Sequence, residues 1–246
     1  TLSSQIACLN HLFAIMNDKS SVLAMLNGVR DEFKEVLPIM CDANPQYIGF
    51  EVVSKEDPLN EKTSTRGSNC TSVDAFIHAK HRDDSVWLIP IEWKYTEHYA
   101  NLDKSNEDRQ GEEKGSNGKG KERVRRYSAL TDASLQLKSL DSYYGSIYYQ
   151  EPFYQLMRQT LWAENVVKRK EENLKADNYM HIHVIPSDNK DLLAKKYSVS
   201  GMGMEETWRS MLSEQSKYII VDPQKLLEPI KDKYPELVLY LKKRYW

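Results

Sequence analysis

Residues 86–97 read VWLIPIEWKYTE, an apolar run that ends in Glu92, Trp93 and Lys94. Side chains alternate between the two sides of a β-strand, so Trp87, Ile89, Ile91 and Trp93 share one side. Val86 and Leu88 lie on the other, as do Glu92 and Lys94. A strand that is apolar on both sides is covered on both, as in a sheet held between helices. An acid and a base fixed together at its end are costly unless they are paired or bound to a metal ion.

Upstream, SVDAFIHA at 72–79 reads as a second strand, joined to the first by the short polar connection HRDDS. Antiparallel pairing across that connection sets Asp74 beside Glu92. Two converging carboxylates make a hard-oxygen site suited to Mg²⁺ or Mn²⁺. YIGFEVV at 47–53 is a further strand-like run, and the three together predict an antiparallel meander. Residues 3–40 carry apolar positions at helical spacing, from Ile6 to Phe33 and Leu37, and predict two helices broken near NDKSS.

Downstream, the stretch from Asn101 to Glu122 is almost free of apolar residues and reads as a mobile loop, unable to offset its ordering entropy by burial. Helical patterning resumes near Val124 to Leu140 and again from Pro152 to about Lys170. YMHIHVI at 179–185 predicts a fourth strand. A helix around Glu205 to Met211, a fifth strand in KYIIVD at 217–222 and helical turns over 223–244 follow. No internal repeat is visible. The order predicts one mixed α/β domain over 1–246, its central sheet flanked by helices, with a core at about 20–186 and a C-terminal extension over 187–246.

Composition narrows the function. The 246 residues are 40% hydrophobic and 28% charged, and no stretch approaches the ~18 apolar residues that a membrane span needs. Lys and Arg number 34 against 36 Asp and Glu, so an anionic partner must be met by a local basic patch rather than by the net charge of −2. Cys8, Cys41 and Cys70 are scattered without metal-ligand spacing, which fits reduced thiols in a cytoplasmic protein. The first residues lack the pattern of a secretory signal, although the missing initiator Met leaves a leader open. GSNGKGK fails the phosphate-loop spacing, and neither a nucleophile elbow nor a dinucleotide fingerprint is present.

An Asp on one strand and Glu-x-Lys on the next, in an αβββαβ order, resembles the PD-(D/E)XK nuclease superfamily with its restriction-endonuclease-like fold. Ser72 and Val73 stand where the motif's name expects a Pro. SVDAF, IEWKYTE, the FE at Phe50 and Glu51 and the SSQ of the first helix look like a family of bacterial restriction-endonuclease-like proteins. The resemblance implies a Mg²⁺- or Mn²⁺-dependent nuclease and hydrolase acting on nucleic acid, DNA first. Asp74 and Glu92 would hold the metal, and Lys94 would orient or activate the attacking water. It also leaves room for a homodimer, because double-strand cutting often needs two sites.

Other residues extend that picture. Glu51 is a candidate additional metal ligand, with an outward-facing strand charge as its plain alternative. Glu32 and Glu35 sit where related proteins carry an accessory acid on a helix, although a solvated helix face accounts for them as well. Glu97 is placed to support Lys94. Gln155, Arg158 and Gln159 fall on one helical face, which related nucleases turn toward the scissile phosphate, and plain surface exposure is the alternative. Arg123, Arg125 and Arg126 lie in KGKERVRR, the most suggestive of three basic clusters, the others being 168–170 and 242–244. The first and second clusters are expected to flank the Asp74, Glu92, Lys94 site. The aromatic residues between Tyr143 and Tyr154 stack on bases or, more commonly, pack a core. His181 and His183 read as a structural pair in the absence of further ligands at metal spacing.

Two competing functions remain. A silent module on the same fold would bind nucleic acid or a protein without turnover. A metal hydrolase built on His181 and His183 would bind zinc tightly.

Overall fold

The computed structural model describes residues 3–39, 45–62, 70–100, 102–107, 118–170 and 172–246. Helix α1 (Ser4–Leu12) begins at Ser3, whose hydroxyl accepts the Ile6 N–H at 3.5 Å. Helix α2 (Lys19–Val29) begins at Asp18, whose carboxylate accepts the Ser21 N–H at 3.2 Å, so the break near NDKSS falls at a cap. Arg30, at φ −156°, leaves the helical region and ends α2.

The chain then departs from the helical expectation. Phe33–Leu37 is a strand, β1, antiparallel to β3 (Ser72–His81). A bulge between Phe33 and Glu35 lets Phe33 and Val36, three residues apart, bury against one layer. That spacing imitates a helix, and it explains the misreading. Asn27 fixes the entry by bracketing Phe33, donating to its carbonyl at 2.9 Å and accepting its N–H at 3.1 Å. Glu32 therefore lies in the turn before a strand and Glu35 within it, neither on a helix. Glu32 pairs with Arg30 at 2.7 Å and Glu35 with Lys19 at 2.5 Å.

Strands β2 (Gly49–Val53), β3 and β4 (Val86–Trp93) pair antiparallel, as the meander predicts. β1 and β2 share one edge of β3. On its other side β4 runs parallel to β5 (Asn178–Tyr179) and β6 (His181–Val184), and β6 runs parallel to β7 (Tyr218–Val221). The path is β1-β3-β4-β6-β7, a seven-stranded mixed sheet. β5 and β6 are one strand interrupted at Met180. The Met180 N–H reaches the Leu88 carbonyl at 3.1 Å, but the next β4 group in the ladder is Pro90, which has no N–H to return.

Helices cover both faces. Trp87, Ile89, Ile91 and Trp93 pack with α1, α2, α7 (Pro223–Leu227) and α8 (Pro235–Arg244) in one apolar cluster. Leu88 and Tyr179 pack on the opposite face with α3 (Lys119–Asp132), α4 (Phe153–Arg169) and α6 (Met204–Ser210). A short helix, α5 (Lys190–Leu193), precedes α6. The chain is thus mixed α/β, its sheet flanked by helices. No described helix is long and apolar enough to cross a membrane.

The expected mobile loop over 101–122 is narrower in its described parts. Residues 101 and 108–117 lie outside the described residues. Asp103 bridges to Gln150, the Lys104 N–H donates to the Tyr149 carbonyl at 2.7 Å, and α3 already begins at Lys119. Gly120 lets α3 approach this segment, since a Cβ there would stand 2.2 Å from the Ser105 carbonyl oxygen. Residues 133–140, expected to continue the helix, follow its end. Cys8 is buried, Cys70 is half-buried, and Cys41 lies outside the described residues.

Candidate active site

The β3/β4 register sets Ala75 opposite Ile91, so one step further along Asp74 falls opposite Glu92. Asp74 Oδ2 accepts the Trp93 N–H at 2.8 Å across the strands. Asp74 and Glu92 line one cleft of about 190 Å³, walled on its far side by Gln155, Arg158 and Gln159 of α4. Lys94 lies just past the end of β4, pinned by its N–H to the Val184 carbonyl at 2.8 Å.

Glu92 and Lys94 project to the same side, toward α4, and both are buried, at 5% and 3% exposure. The Lys94 ammonium donates to Glu92 Oε1 and, at 2.5 Å, to Gln155 Oε1. One turn further along α4, the Gln159 amide donates to Glu92 Oε2. A buried pair of this kind gains little net stability, because desolvation consumes most of the attraction.

The charges are strongly interdependent. Desolvation in the cleft raises the Asp74 pKa well above its ordinary value, and the Glu92 charge adds to this against the pull of Lys94 and the Trp93 N–H. Burial alone would lower the Lys94 pKa, but Glu92, Tyr99 and Asp74 more than reverse it, so the ammonium stays charged. Burial pushes the Tyr99 hydroxyl up to about 12.

Glu51 falls between Phe50 and Val52, which pair with Ala75 and Val73, so it lies across β3 from Asp74. Its φ of 49° is a left-handed conformation uncommon for a Glu. Its charge contributes to the rise at Asp74. However, no three His, Cys, Asp or Glu side chains among the described residues converge on a common point, so Glu51 does not complete a three-ligand cluster.

A second cleft of about 450 Å³ adjoins the first and shares Cys70, Gln155 and Arg158 with it. Lys104 and, from α3, Lys119, Arg123 and Arg126 line it together with Glu122, which pairs with Arg126 at 3.1 Å, and Glu151, so the wall beside the carboxylates is mainly basic. Arg125, expected to act with its neighbours, turns outward and pairs with Glu122 at 2.9 Å. Residues 168–170 lie at the far end of α4, where Lys170 pairs with Asp177 at 2.6 Å, and do not flank the site. The cause is helix length. Residues ten positions apart on a helix are roughly 15 Å apart along its axis.

Other expectations resolve into structural roles. The Glu97 carboxylate accepts the Tyr95 N–H at 2.6 Å, fixing the turn after Lys94 rather than holding its ammonium. Tyr143, Tyr148, Tyr149, Phe153 and Tyr154 are buried in the core, and Tyr144 alone of that group is exposed. His181 and His183 are buried on β6, and His183 lies beside Glu92 in the β4/β6 register. His183 Nδ1 stands 2.7 Å from the Tyr218 hydroxyl. Burial lowers the His181 pKa to about 4.

Two acids near the site carry no readable sequence signal. Glu61, in a polar stretch without periodicity, is buried and contacts Thr71, Tyr127 and Arg158. Glu151, just before α4, lines the basic cleft with its Oε2 buried and unpartnered, and burial raises its pKa.

The fold and these clefts are those of an α/β protein with a buried acid–lysine centre beside a basic groove. The chain belongs to the family described as restriction endonuclease associating with ARP, which matches residues 1–246. No curated protein and no solved structure matches the chain.

Proposed function

We propose that this protein is a metal-dependent nuclease that hydrolyses phosphodiester bonds of nucleic acid, most directly DNA, on a restriction-endonuclease-like core. The observation that carries the reading is the continuity of the cleft lined by Asp74 and Glu92, with Lys94 buried behind Glu92, and the basic cleft of α3 through Gln155 and Arg158. Carboxylates at one end and cations along the other suit a phosphate chain whose reacting phosphate sits at the acid end.

The donor set fits Mg²⁺ or Mn²⁺. Mg²⁺ is commonly held by one or two carboxylates together with water and substrate phosphate, not by a full protein cage. Asp74 and Glu92 would hold it, with Glu51 supplying outer-sphere charge. Bound there, the ion would stabilise charge on the phosphate oxygens and acidify a water molecule. Lys94, charged and held by Gln155, orients the attacking water and steadies the hydroxide. Gln159 holds the Glu92 carboxylate in the cleft until a cation takes its place. Arg123, Arg126 and Arg158 neutralise flanking phosphates. We place the activity in the cytoplasm and assign it to a single domain, since both clefts rest on one sheet. A homodimer would supply the two sites that double-strand cutting needs.

Cleavage of labelled DNA in Mg²⁺ or Mn²⁺ tests the reading. It is expected in the wild type and absent in Asp74→Ala, Glu92→Ala and Lys94→Ala variants that remain folded. One observation favours a second reading, a silent nucleic-acid-binding module. Both Glu92 oxygens are already engaged, by Lys94 and Gln159. Binding without turnover in both metals would select it.

A further inference from the structure

Arg158 occupies the junction of the two clefts, and its guanidinium is held by groups outside the acid–lysine centre. Glu61 Oε1 accepts from Arg158 Nη2 at 3.0 Å, and Thr71 Oγ1 accepts from Arg158 Nε at 3.0 Å. The same carboxylate accepts the Tyr127 hydroxyl at 2.6 Å, the Thr71 hydroxyl at 2.8 Å and the Thr71 N–H at 2.6 Å. The guanidinium carbon lies 5.4 Å from the Tyr154 ring centroid and 6.0 Å from that of Tyr127. Glu61 is 7% exposed, whereas the Arg158 side chain keeps 21% of its surface.

The segment that delivers Glu61 is itself heavily constrained. Asp57, Asn60 and Lys62 adopt φ of 44°, 56° and 64°, conformations that non-glycine residues seldom take. The Asp57 carboxylate accepts the N–H groups of Glu61 and Lys62 at 2.7 and 2.8 Å. Backbone in such conformations persists where its surroundings over-determine it, often next to functional groups. Here the result is a carboxylate turned inward onto one arginine.

We propose that Glu61 is a positioning residue: it holds the inner edge of the Arg158 guanidinium, with Thr71, so that the outer edge receives a backbone phosphate as the strand passes from the acid cleft into the basic one. This rests on the nuclease reading above and deepens it. A guanidinium carries five N–H donors in a fixed fork. One goes to Glu61 and one to Thr71, leaving three for the cleft that Arg158 lines. A free arginine would sample many orientations, and fixing one in advance removes that entropy from the binding step. Phosphate is the anion whose geometry such a fork matches.

The charge of Glu61 makes the proposal sharp. Bulk electrostatics alone predicts that Glu61→Gln tightens binding to a polyanion, since a negative charge is lost. Positioning predicts the reverse. Binding of a fluorescein-labelled DNA duplex, read by anisotropy in Ca²⁺, is expected to weaken about 5- to 10-fold in Glu61→Gln and similarly in Arg158→Ala. The double variant should be no weaker than Arg158→Ala alone. Arg158→Lys retains the charge and disturbs the fold least, but it cannot reach Glu61 and Thr71 together, and it should weaken binding as Glu61→Gln does. Glu61→Gln or Arg158→Lys binding as tightly as the wild type, or additive losses in the double variant, would overturn the proposal. Failure of the wild type to bind would overturn the nuclease reading, and the inference with it.

Discussion

Trp93 and its two chain neighbours point to opposite faces of the sheet and meet opposite surroundings. Trp93 enters a layer made of α1, α2, α7 and α8, fully buried against apolar side chains and with its ring centroid 4.7 Å from that of His11, the two rings tilted by 47°. Its own indole N–H is buried there without a partner, while the nearby imidazole is satisfied locally. His11 Nδ1 donates to the Ala7 carbonyl at 2.7 Å, and its Nε2 accepts the Trp246 indole N–H at 3.3 Å. Glu92 and Lys94 enter the layer of α3 and α4, which buries Glu61, Glu151, Gln159, His181 and His183 as well. Several atoms there lack partners, among them Glu151 Oε2, Gln159 Oε1 and both His181 nitrogens. One sheet thus separates a largely apolar face, with one unpartnered indole N–H, from a face that holds several unpartnered polar groups, ionisable ones among them, and such groups concentrate where chemistry needs them.

The strongest way to break that comparison is to alter the two faces at adjacent residues. Lys94→Ala should lower the cleavage rate by at least about 10³-fold while the protein still unfolds cooperatively, removing both a water-positioning group and stabilising charge. Trp93→Ala should cost about 3–5 kcal/mol of stability in urea unfolding. The fraction that remains folded should still cleave. Comparable stability losses with comparable residual rates would erase the distinction between the faces.

His11 gives the dry face a pH signature. Burial lowers its pKa from 6.5 to about 4. As pH falls through 6.5 the unfolded chain takes up a proton that the folded one refuses, so stability drops between pH about 6.5 and about 4. Below that range both states are protonated and the loss stops growing. By linkage the loss reaches about 3 kcal/mol. Urea unfolding of His11→Phe across this range should show a shallower slope than the wild type, and an unchanged slope would place the pH sensitivity elsewhere.

A smaller effect is expected at Gly120. A Cβ there meets the Ser105 carbonyl, so Gly120→Ala should push α3 outward, costing about 1–3 kcal/mol as overpacking does. It should also weaken DNA binding by displacing Arg123 and Arg126. Smallest of all, Arg126→Ala should reduce the salt dependence of DNA binding by roughly one phosphate contact. Arg125→Ala, on the outward side of α3, should change it less.

Much of the architecture is legible in the sequence because period and burial agree there. β4 reads from its apolar alternation, α4 from its apolar face, and the Asp74–Glu92 pairing from the short connection between two strands. β1 is misread because its bulge spaces Phe33 and Val36 like a helix. The outward turn of Arg125 and the distance of residues 168–170 depend on where helices begin and how long they run, which charge clusters do not encode. Glu61 is invisible for a different reason. Its role comes from left-handed turns that bring it to an arginine 97 positions later in the chain, and no local pattern marks such a contact.

The central claim is that the α3/α4 face holds a divalent cation between Asp74 and Glu92. A crystal of the protein grown in Mn²⁺ tests it through the ion's anomalous signal. The account predicts one ion bridging the two carboxylates, Gln159 drawn away from Glu92, and Lys94 still beside the ion. Mn²⁺ bound elsewhere, with Glu92 still tied to Lys94 and Gln159 at saturating ion, would contradict it.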